Sequence, residues 1–440
     1  MICPVVCGES SNRWDCRYHN VLVMNENESS VKKFPEGFYW GAATASYQVE
    51  GGIENCDWAN AAKEGRVPLA GRACDHYHRY EADFDIAKLL GHNCHRISVE
   101  WARIEPEEGK FDEKEIVHYL AVLAALRGRH IKPFVTLWHF TLPLWFSESG
   151  GWERKDAPEI FARYCGYVAR KLGNDCRHFA TMNEPTVFAS KGWIAGDWPP
   201  FKKWSGLGFL KGVPPRDREG FESEMRWNNI SRYFRVRRQL ICAHNAAYDA
   251  IKAAAFGAEV GIVHHIVLFH ANKNPFNILL AWIANWHATH SVLSGVRRKC
   301  DSIGVNYYIH KKFGDTATYD KTDMGWDVYP EGLCDALLMV KRYKKPIWVS
   351  EAGVADAEDR IRADYITRLV RCMHTAMEKG ADVRGFMYWS LLDNYEWALG
   401  FEKRFGLVEI DYDTLERKVR PSAYVYKEII ERNGLEEAQE

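Results

Sequence analysis

The chain has 440 residues and a formal net charge of −1, with 58 lysines and arginines against 59 aspartates and glutamates. Because the two signs are interspersed, the charge predicts neither a nucleic-acid partner nor attraction to an anionic membrane surface. No apolar run approaches the roughly 20 residues that a membrane-spanning helix needs. These properties exclude no fold class, since α/β barrels of this length form single domains.

The N-terminal residues contain no basic segment followed by a long apolar one, so we expect no secretory signal and a cytoplasmic location. The chain has twelve cysteines without a CxxC pair, which indicates reduced and mostly buried thiols. A metal site formed by Cys3, Cys7, Cys16 and His19 is the less favoured alternative. We expect no metal and no cofactor.

The polar segment 1–33 is predicted to be an N-terminal extension, residues 34–432 one domain and residues 433–440 a C-terminal tail. Within the domain, eight short runs rich in β-branched and aromatic residues alternate with helical patterns. The runs cover residues 38–45, 94–100, 131–138, 176–181, 259–266, 300–308, 346–349 and 383–390. This alternation predicts an α/β fold, a single-domain (β/α)8 TIM barrel.

The helix expected after Asp112 illustrates the helical pattern. Asp112 and Glu115 have the spacing of a capping box. Apolar residues then recur every three or four positions, which predicts one buried face. They are Ile116, Tyr119, Leu120, Leu123 and Leu126.

Polar and aromatic residues follow the predicted strands at their C-terminal ends, where the active site of a barrel of this kind forms. They are Gln48, Glu50, Arg96, Trp101, His139, Asn183, Glu184, His264, His265, Asn306, Tyr308, Glu351 and Trp389. Glu184 and Glu351 each end an apolar strand run, so the chain has two such strand-end glutamates. Two carboxyl groups at one rim suit glycosidic bond cleavage, which needs one group protonated and the other ionised.

Each of these residues also has a structural interpretation. A strand-end glutamate often anchors a loop, Arg96 could pair with any nearby acid, and the histidines could be structural. The histidines lack the spacing of known metal sites, and no GxGxxG, GxxxxGK[ST] or GxSxG motif is present. Arg96 beside a carboxylate would depress the pKa of that carboxylate and keep it ready as a nucleophile.

Seven segments resemble glycoside hydrolase family 1, the β-glucosidase family, over roughly residues 34–430. They are FYWGAATASYQVEG (38–51), CDHYHRY (74–80), HRISVEW (95–101), TMNEP (181–185), GVNYY (304–308), WSLLDNYEW (389–397) and RFG (404–406). They occur in the order found in that family. The resemblance implies a retaining β-glycosidase that acts on terminal glucose, galactose or fucose.

Position by position, the resemblance implies that Glu184 is the acid/base, Glu351 the nucleophile and Asn183 the contact to the sugar 2-hydroxyl. It implies that the nucleophile is supported by Arg96, Asn306 and Tyr308. It further implies that the non-reducing sugar is held by Gln48, His139, Trp389, Glu396, Trp397 and Phe405. Trp145 is expected to border the aglycone, the leaving part of the substrate. The retaining mechanism predicts carboxyl groups about 5–5.5 Å apart.

The chain departs from the family pattern at Ala352, where asparagine is usual beside the nucleophile, and between about residues 286 and 300, where it is shorter. The apolar stretch 193–204 is predicted either to receive an alkyl, aryl or lipid aglycone or to pack on the barrel or a second subunit. A 6-phospho-β-glycosidase is disfavoured by the carboxylate of Glu396, and a thioglycosidase by the presence of Glu184. A non-catalytic glycan-binding barrel and a homo-oligomer remain open.

Overall fold

A closed barrel of eight parallel strands forms the centre of the protein. The computed structural model describes residues 31–203, 226–314 and 317–436. The barrel strands are β1 (Tyr39–Ala43), β2 (Cys94–Ser98), β3 (Lys132–Thr136), β4 (His178–Asn183), β5 (Glu259–His265), β6 (Ser302–Tyr307), β7 (Ile347–Ala352) and β8 (Val383–Trp389). Each strand pairs in parallel with the next, and β8 pairs with β1. The predicted (β/α)8 barrel and its eight strands are confirmed.

Helices surround the barrel and also form parts of the loops at its rim. Those in the described part of the chain are α1 (Ser46–Val49), α2 (Asp57–Lys63), α3 (His76–Leu89), α4 (Trp101–Ile104), α5 (Glu113–Gly128), α6 (Leu144–Glu148), α7 (Ala157–Leu172), α8 (Pro185–Ser190), α9 (Arg226–Ala254), α10 (Pro275–Asn285), α11 (Ser291–Val296), α12 (Gly332–Lys341), α13 (Arg362–Glu378) and α14 (Pro421–Arg432). Short 3₁₀ turns cover Gly151–Glu153 and Trp397–Leu399, and π-helical turns cover Lys191–Ala195 and Trp286–His290. At least one helix follows each barrel strand, which is the connection that parallel strands need.

Helix α5 confirms the predicted periodicity but only half of the predicted cap. The Asp112 carboxylate accepts a hydrogen bond from the Lys114 amide at 2.8 Å and so caps the helix. The Glu115 side chain instead accepts from the Tyr77 hydroxyl at 3.2 Å, so no reciprocal capping box forms. The buried face consists of Ile116, Tyr119, Val122, Leu123 and Leu126.

Three two-stranded sheets lie outside the barrel among the described residues. Val31–Lys33 pairs antiparallel with Gly434–Glu436, so the chain brings these two segments together beside the barrel. Val408–Ile410 pairs antiparallel with Arg417–Val419, and Leu268–Ala271 pairs in parallel with His310–Phe313. The N-terminal cysteines and histidine considered as a metal site lie outside the described residues.

Two clusters of packed apolar side chains form the core, one around the barrel and one inside it. The larger cluster fills the layer between strands and helices. The smaller one lies inside the barrel, where the rings of Phe134 and Trp348 meet edge to face at 4.7 Å. Within the described residues, these side chains therefore fill the barrel interior below the C-terminal rim. The nine cysteines in the described part of the chain are free, and six of them are buried, as predicted. No helix among the described residues is long and apolar enough to cross a membrane.

Candidate active site

A cavity of about 1240 Å³ opens at the C-terminal ends of the barrel strands. It collects ten of the thirteen site residues predicted from the sequence. These are Gln48, His139, Asn183, Glu184, Tyr308, Glu351, Trp389, Glu396, Trp397 and Phe405. The fold thus brings side chains from the ends of six strands and the following loops into one concave site, the arrangement typical of a small-molecule pocket.

Glu184 is held at the junction between β4 and α8. It adopts a left-handed backbone conformation with φ 43° and ψ 59°, and Pro185 begins the helix directly after it. Such a conformation is unfavourable for a glutamate, so the surrounding structure must impose it, as is common at active sites. Its amide donates to the Val263 carbonyl at 2.9 Å, which ties the turn to β5. The carboxyl group is buried and faces the cavity.

Glu351 lies near the end of β7 and has two polar partners. The Arg96 guanidinium forms an ion pair with one carboxylate oxygen, and the Tyr308 hydroxyl donates to the other at 2.8 Å. Both oxygens are therefore engaged by groups that favour the ionised form. Two residues after Glu351, position 353 must be glycine, because a Cβ atom there would lie 1.9 Å from the Trp389 carbonyl oxygen.

A hydrogen-bond network behind the cavity connects the two glutamates. Arg96 donates to the Asn183 side-chain oxygen at 2.8 Å, and Asn306 donates to that same oxygen at 3.2 Å. Asn306 also donates to the Glu184 carboxylate at 2.6 Å. The path from Glu351 to Glu184 therefore runs through three side chains whose positions are mutually fixed.

Asn306 was expected to support Glu351, and the structure places its contact elsewhere. Its amide nitrogen donates to the side-chain oxygens of Glu184 and Asn183, and its oxygen accepts a hydrogen bond from the Ser350 hydroxyl at 2.8 Å. Asn306 is the register partner of Glu351 across the β6–β7 pair, but its two polar atoms are taken by Glu184, Asn183 and Ser350.

Three carboxyl groups face the cavity, of which Glu184 and Glu351 are buried and Glu396 is half-buried, and removal from water is the main influence on the pKa of each. Burial raises the pKa of Glu184 to about 7, against the opposing hydrogen bond from Asn306. Burial raises the pKa of Glu351 to about 7 as well, although the Arg96 charge opposes the rise. Burial raises the pKa of Glu396 to about 8, with further increases from Glu351 and Glu184.

The expected depression of the Glu351 pKa is therefore wrong in net effect. Arg96 does lower it, but removal of the carboxyl group from water outweighs the ion pair. The difference between the two glutamates lies in their partners. Glu351 has a cation and a hydroxyl donor, whereas the Glu184 carboxylate accepts a hydrogen bond from the Asn306 amide and feels the Arg96 charge without direct contact.

Side chains at the deep end of the cavity carry polar atoms without partners. The Gln48 amide nitrogen donates to Asn394 Oδ1 and the Tyr395 carbonyl at 2.9 and 2.8 Å, which leaves Oε1 unpaired among the described residues. His139 Nδ1 is also unpaired within them. The His139 ring is nearly parallel to that of Trp389, with an interplanar angle of 15°. Buried polar atoms of this kind suit a ligand rich in hydroxyl groups.

The outer part of the cavity is apolar, and sequence reasoning found it only in part. The stretch 193–204 was predicted as one wall, and Ile194, Trp198 and Phe201 line the cavity, while residue 204 lies outside the described residues. Trp326 and Arg66 were missed. Trp326 packs near Phe405 with ring centroids 6.3 Å apart, and the Arg66 guanidinium lies 3.6 Å from the Phe201 ring centroid. Both lie in loops whose sequence carries no periodic pattern.

Trp145 does not border the cavity, which corrects its expected role at the aglycone. Its indole nitrogen donates to the Glu105 carbonyl at 2.8 Å, and its ring packs edge to face on Trp101. Helix α6 turns the side chain toward the neighbouring loop instead of the barrel axis. Trp145 is therefore part of the scaffold of the rim.

Three other candidates at the strand ends also point away from the cavity. Glu50 forms a buried ion pair with Arg103 at 2.9 Å. The Trp101 indole donates to Glu105 at 2.8 Å, and His264 Nε2 lies 2.9 Å from a backbone carbonyl. His265, the residue after His264, does line the cavity. Side chains alternate along a strand, so only one of two adjacent histidines can face the barrel interior.

Ala352, the departure beside Glu351, also faces away from substrate. It is fully buried in the apolar layer outside the barrel and does not line the cavity. Its partners across the sheet are Tyr307 and Tyr388. The alanine therefore alters packing behind β7 and leaves the inner surface at Glu351 unchanged.

Comparisons with known proteins agree with this geometry. The model of the family described as Glycosyl hydrolase family 1 matches residues 30–277 and 296–435. β-Glucosidase A of Acetivibrio thermocellus is 31% identical, with 91% of this chain and 99% of the relative covered. A β-galactosidase of Sulfolobus acidocaldarius is 31% identical, with coverage of 92% and 97%.

Solved structures are similar over the whole barrel. A β-glycosidase from Pyrococcus horikoshii superposes with a TM-score of 0.82 at 33% identity, covering 93% of this chain and 97% of the other. A β-glucosidase from Thermotoga maritima in complex with glucoimidazole gives a TM-score of 0.82 at 29% identity, with coverage of 92% and 100%. The similarity therefore covers nearly the whole length of each of the two solved chains.

Proposed function

Since the chain belongs to glycosyl hydrolase family 1 and is a glycoside hydrolase, we propose that it is a retaining β-glycosidase. It releases terminal non-reducing β-D-glucosyl, galactosyl or fucosyl residues by double displacement. The observation that carries this proposal is the pair of buried glutamates in one cavity, joined by a network that gives them different partners. Such a pair is what a retaining mechanism needs.

In the first step, Glu351 attacks the anomeric carbon while Glu184 donates its proton to the leaving glycosidic oxygen. The glycosidic bond breaks and an ester between the sugar and Glu351 forms. Arg96 and Tyr308 orient the Glu351 carboxylate and favour its ionised form, which is the form that attacks. Asn183 is placed to donate to the sugar 2-hydroxyl, because its oxygen already accepts from Arg96 and Asn306.

In the second step, Glu184, now ionised, removes a proton from water that attacks the same carbon. The ester to Glu351 breaks, and the sugar leaves with its original configuration while Glu184 regains its proton. The raised pKa of Glu184 supports this exchange, since a group with a pKa of about 7 can both give and take a proton near neutral pH.

The polar deep end and the apolar outer end of the cavity suggest how substrate lies. Gln48 and Glu396 bind hydroxyl groups of the non-reducing sugar, with Trp389 and Phe405 against its faces. Ile194 and its apolar neighbours receive the aglycone. The carboxyl group of Glu396 supports a neutral sugar over a 6-phosphorylated one, because it offers a phosphate no positive charge and repels it once ionised, above its pKa of about 8.

We also propose that the enzyme acts in the cytoplasm. The nine free cysteines among the described residues support this location, since reduced thiols are typical of a reducing compartment.

Trapping of the glycosyl-enzyme tests the proposal. The protein is incubated with 2-deoxy-2-fluoro-β-glycosides of glucose, galactose and fucose that carry good leaving groups, and peptides are examined by mass spectrometry. We expect a fluorosugar on Glu351 with at least one sugar. Glu351→Gln is the control and is expected to remain unlabelled. Labelling of another residue, or no label on folded protein, would refute the assignment.

The stereochemistry of the product gives an independent test. NMR spectra recorded in the first minutes of hydrolysis are expected to show the β-anomer of the free sugar. The α-anomer as first product would mean inversion, which excludes the covalent step on Glu351.

A further inference from the structure

Helix α10 exposes five of its six large apolar side chains and buries the small Ala281. The exposed fractions are 65% for Phe276, 52% for Ile278, 51% for Leu279, 63% for Trp282, 47% for Ile283 and 51% for Trp286, which begins the turn after the helix. Ala281, in contrast, is buried against the protein. This is the reverse of the usual surface helix, whose apolar stripe faces the core.

The resulting patch is large for a single chain. Thirteen large hydrophobic residues are exposed among the described residues, and six of them fall between positions 276 and 286. The three aromatic side chains alone expose roughly 300–400 Å², at half or more of roughly 150–250 Å² each, which is already the size of the largest patch on a typical monomer. A patch of this size marks an interaction surface.

The patch adjoins the mouth of the active-site cavity. Helix α10 packs on Leu268–Ala271, whose Phe269 lines the cavity, and continues into Trp286–His290, whose His287 and Ala288 also line it. Phe234 of α9, itself half exposed, lies 5.8 Å from the His287 ring. The family model leaves residues 278–295 unmatched, and these include most of α10.

The surroundings of the patch are basic although the whole chain is nearly neutral. Residues 226–248 contain five arginines, and residues 268–300 contain four lysines and arginines, with Asp249 and Asp301 directly after the two stretches. Of these cations, Arg232 pairs with Glu153, Lys299 pairs with Asp249 and Arg237 is buried. Lys273, Lys311, Arg235 and Arg238 are exposed and form no ion pair with any described residue. These four side chains therefore give the region a local positive charge, although the net charge of the whole chain is close to zero.

We propose that α10 and the turn after it form a docking surface for an anionic lipid bilayer. The apolar face enters the boundary between headgroups and acyl chains, where tryptophan is favoured, and the lysines and arginines contact the acidic headgroups. The helix of 11 residues lies along the surface and does not span it. A second copy of this chain fits less well, because a two-fold contact would bring these positive charges against their own counterparts.

Docking places the cavity mouth against the bilayer. Amphiphilic β-glycosides held in the membrane can then reach the apolar outer part of the cavity without passing through water. This consequence rests on the proposed function, whereas docking itself does not.

Vesicle co-sedimentation tests the docking surface directly. The full chain is mixed with phosphatidylcholine vesicles containing no or about 30% phosphatidylserine, at low and at physiological salt. We expect binding to the anionic vesicles that weakens with salt, and little binding to the neutral ones. Trp282→Ser with Ile283→Ser is expected to weaken binding at least tenfold. The control pair Phe256→Ser with Val117→Ser changes two exposed apolar residues elsewhere and is expected to bind as wild type.

The charges are tested in the same assay. Lys273→Glu with Lys311→Glu is expected to weaken binding to anionic vesicles at least fivefold, while Lys88→Glu with Lys114→Glu leaves it unchanged. Equal binding to neutral and anionic vesicles, absence of wild-type binding, or wild-type behaviour of the Trp282 and Ile283 variant would overturn the proposal.

Two further measurements distinguish a lipid bilayer from other possible binding partners of the patch. Sedimentation velocity that shows a dimer dissolved by the Trp282 and Ile283 substitutions, without vesicle binding, would assign the patch to a second copy. A lowered melting temperature of that variant, again without vesicle binding, would assign it to the chain's own segment 204–225. Either result would overturn bilayer docking. The Trp282 and Ile283 variant is expected to hydrolyse a soluble aryl β-glycoside at the wild-type rate. If the wild-type protein does not hydrolyse this substrate, the result counts against the glycosidase assignment and leaves the docking surface unaffected.

Discussion

The clearest quantitative prediction concerns the buried carboxyl group of Glu184. Replacing it by glutamine keeps the shape and the oxygen that accepts from Asn306, but removes the ionisation. In the folded protein the pKa of Glu184 is about 7, against an ordinary value of 4.5. The difference corresponds to about 3 kcal/mol between the protonated and ionised forms.

The sign follows from the direction of the shift. Because folding raises the pKa of Glu184, its favourable contribution to stability is fully present below pH 4.5 and is lost as the pH rises through about 7. Glutamine cannot ionise, so the variant avoids this loss. We therefore expect Glu184→Gln to have nearly the wild-type free energy of unfolding at pH 4.5 and to be about 3 kcal/mol more stable at pH 9.

Urea denaturation at several pH values between 4.5 and 9 measures this difference. Glu148→Gln, at an exposed glutamate, is the matched control for loss of a surface carboxyl group and is expected to show no such trend. A difference between Glu184→Gln and wild type that stays flat across the range would refute the argument. It would mean that the cavity solvates the Glu184 carboxylate as well as water does.

Three further predictions concern neighbouring side chains. Tyr308→Phe removes a hydrogen bond that opposes the burial-driven rise in the Glu351 pKa, so the acid limb of the kcat/KM profile should move to higher pH, with about tenfold lower activity. Glu396→Gln removes one acceptor oxygen from the sugar site and should lower kcat/KM for neutral glycosides about tenfold, near 1.4 kcal/mol, while 6-phosphoglycosides lose less. Ala352→Asn inserts a polar group into the apolar layer behind β7 and should cost about 1–3 kcal/mol in urea denaturation without raising kcat. An acid limb that stays in place would contradict the Tyr308→Phe prediction. Equal losses of kcat/KM on neutral and phosphorylated glycosides would contradict the Glu396→Gln prediction, and a higher kcat would contradict the Ala352→Asn prediction.

The sequence by itself determined the barrel and the two glutamates. Strand and helix periodicities are local, and eight alternations leave little choice other than a closed parallel barrel. In such a barrel the C-terminal strand ends meet at one rim, so Glu184 and Glu351 had to converge once their strands were identified. The resemblance to a family then supplied roles that position alone does not carry.

Only the tertiary structure decided which way individual side chains point. Asn306 contacts Glu184 and not Glu351, Trp145 supports the rim from behind, and Ala352 lies outside the barrel. Each outcome depends on register between strands and on rotamers chosen by packing, which residue order does not encode locally. The same holds for α10, whose apolar sequence resembles a core helix. Its exposure follows from where the barrel places it, since the small residue Ala281 fills the space against the protein and Trp282 is left outside.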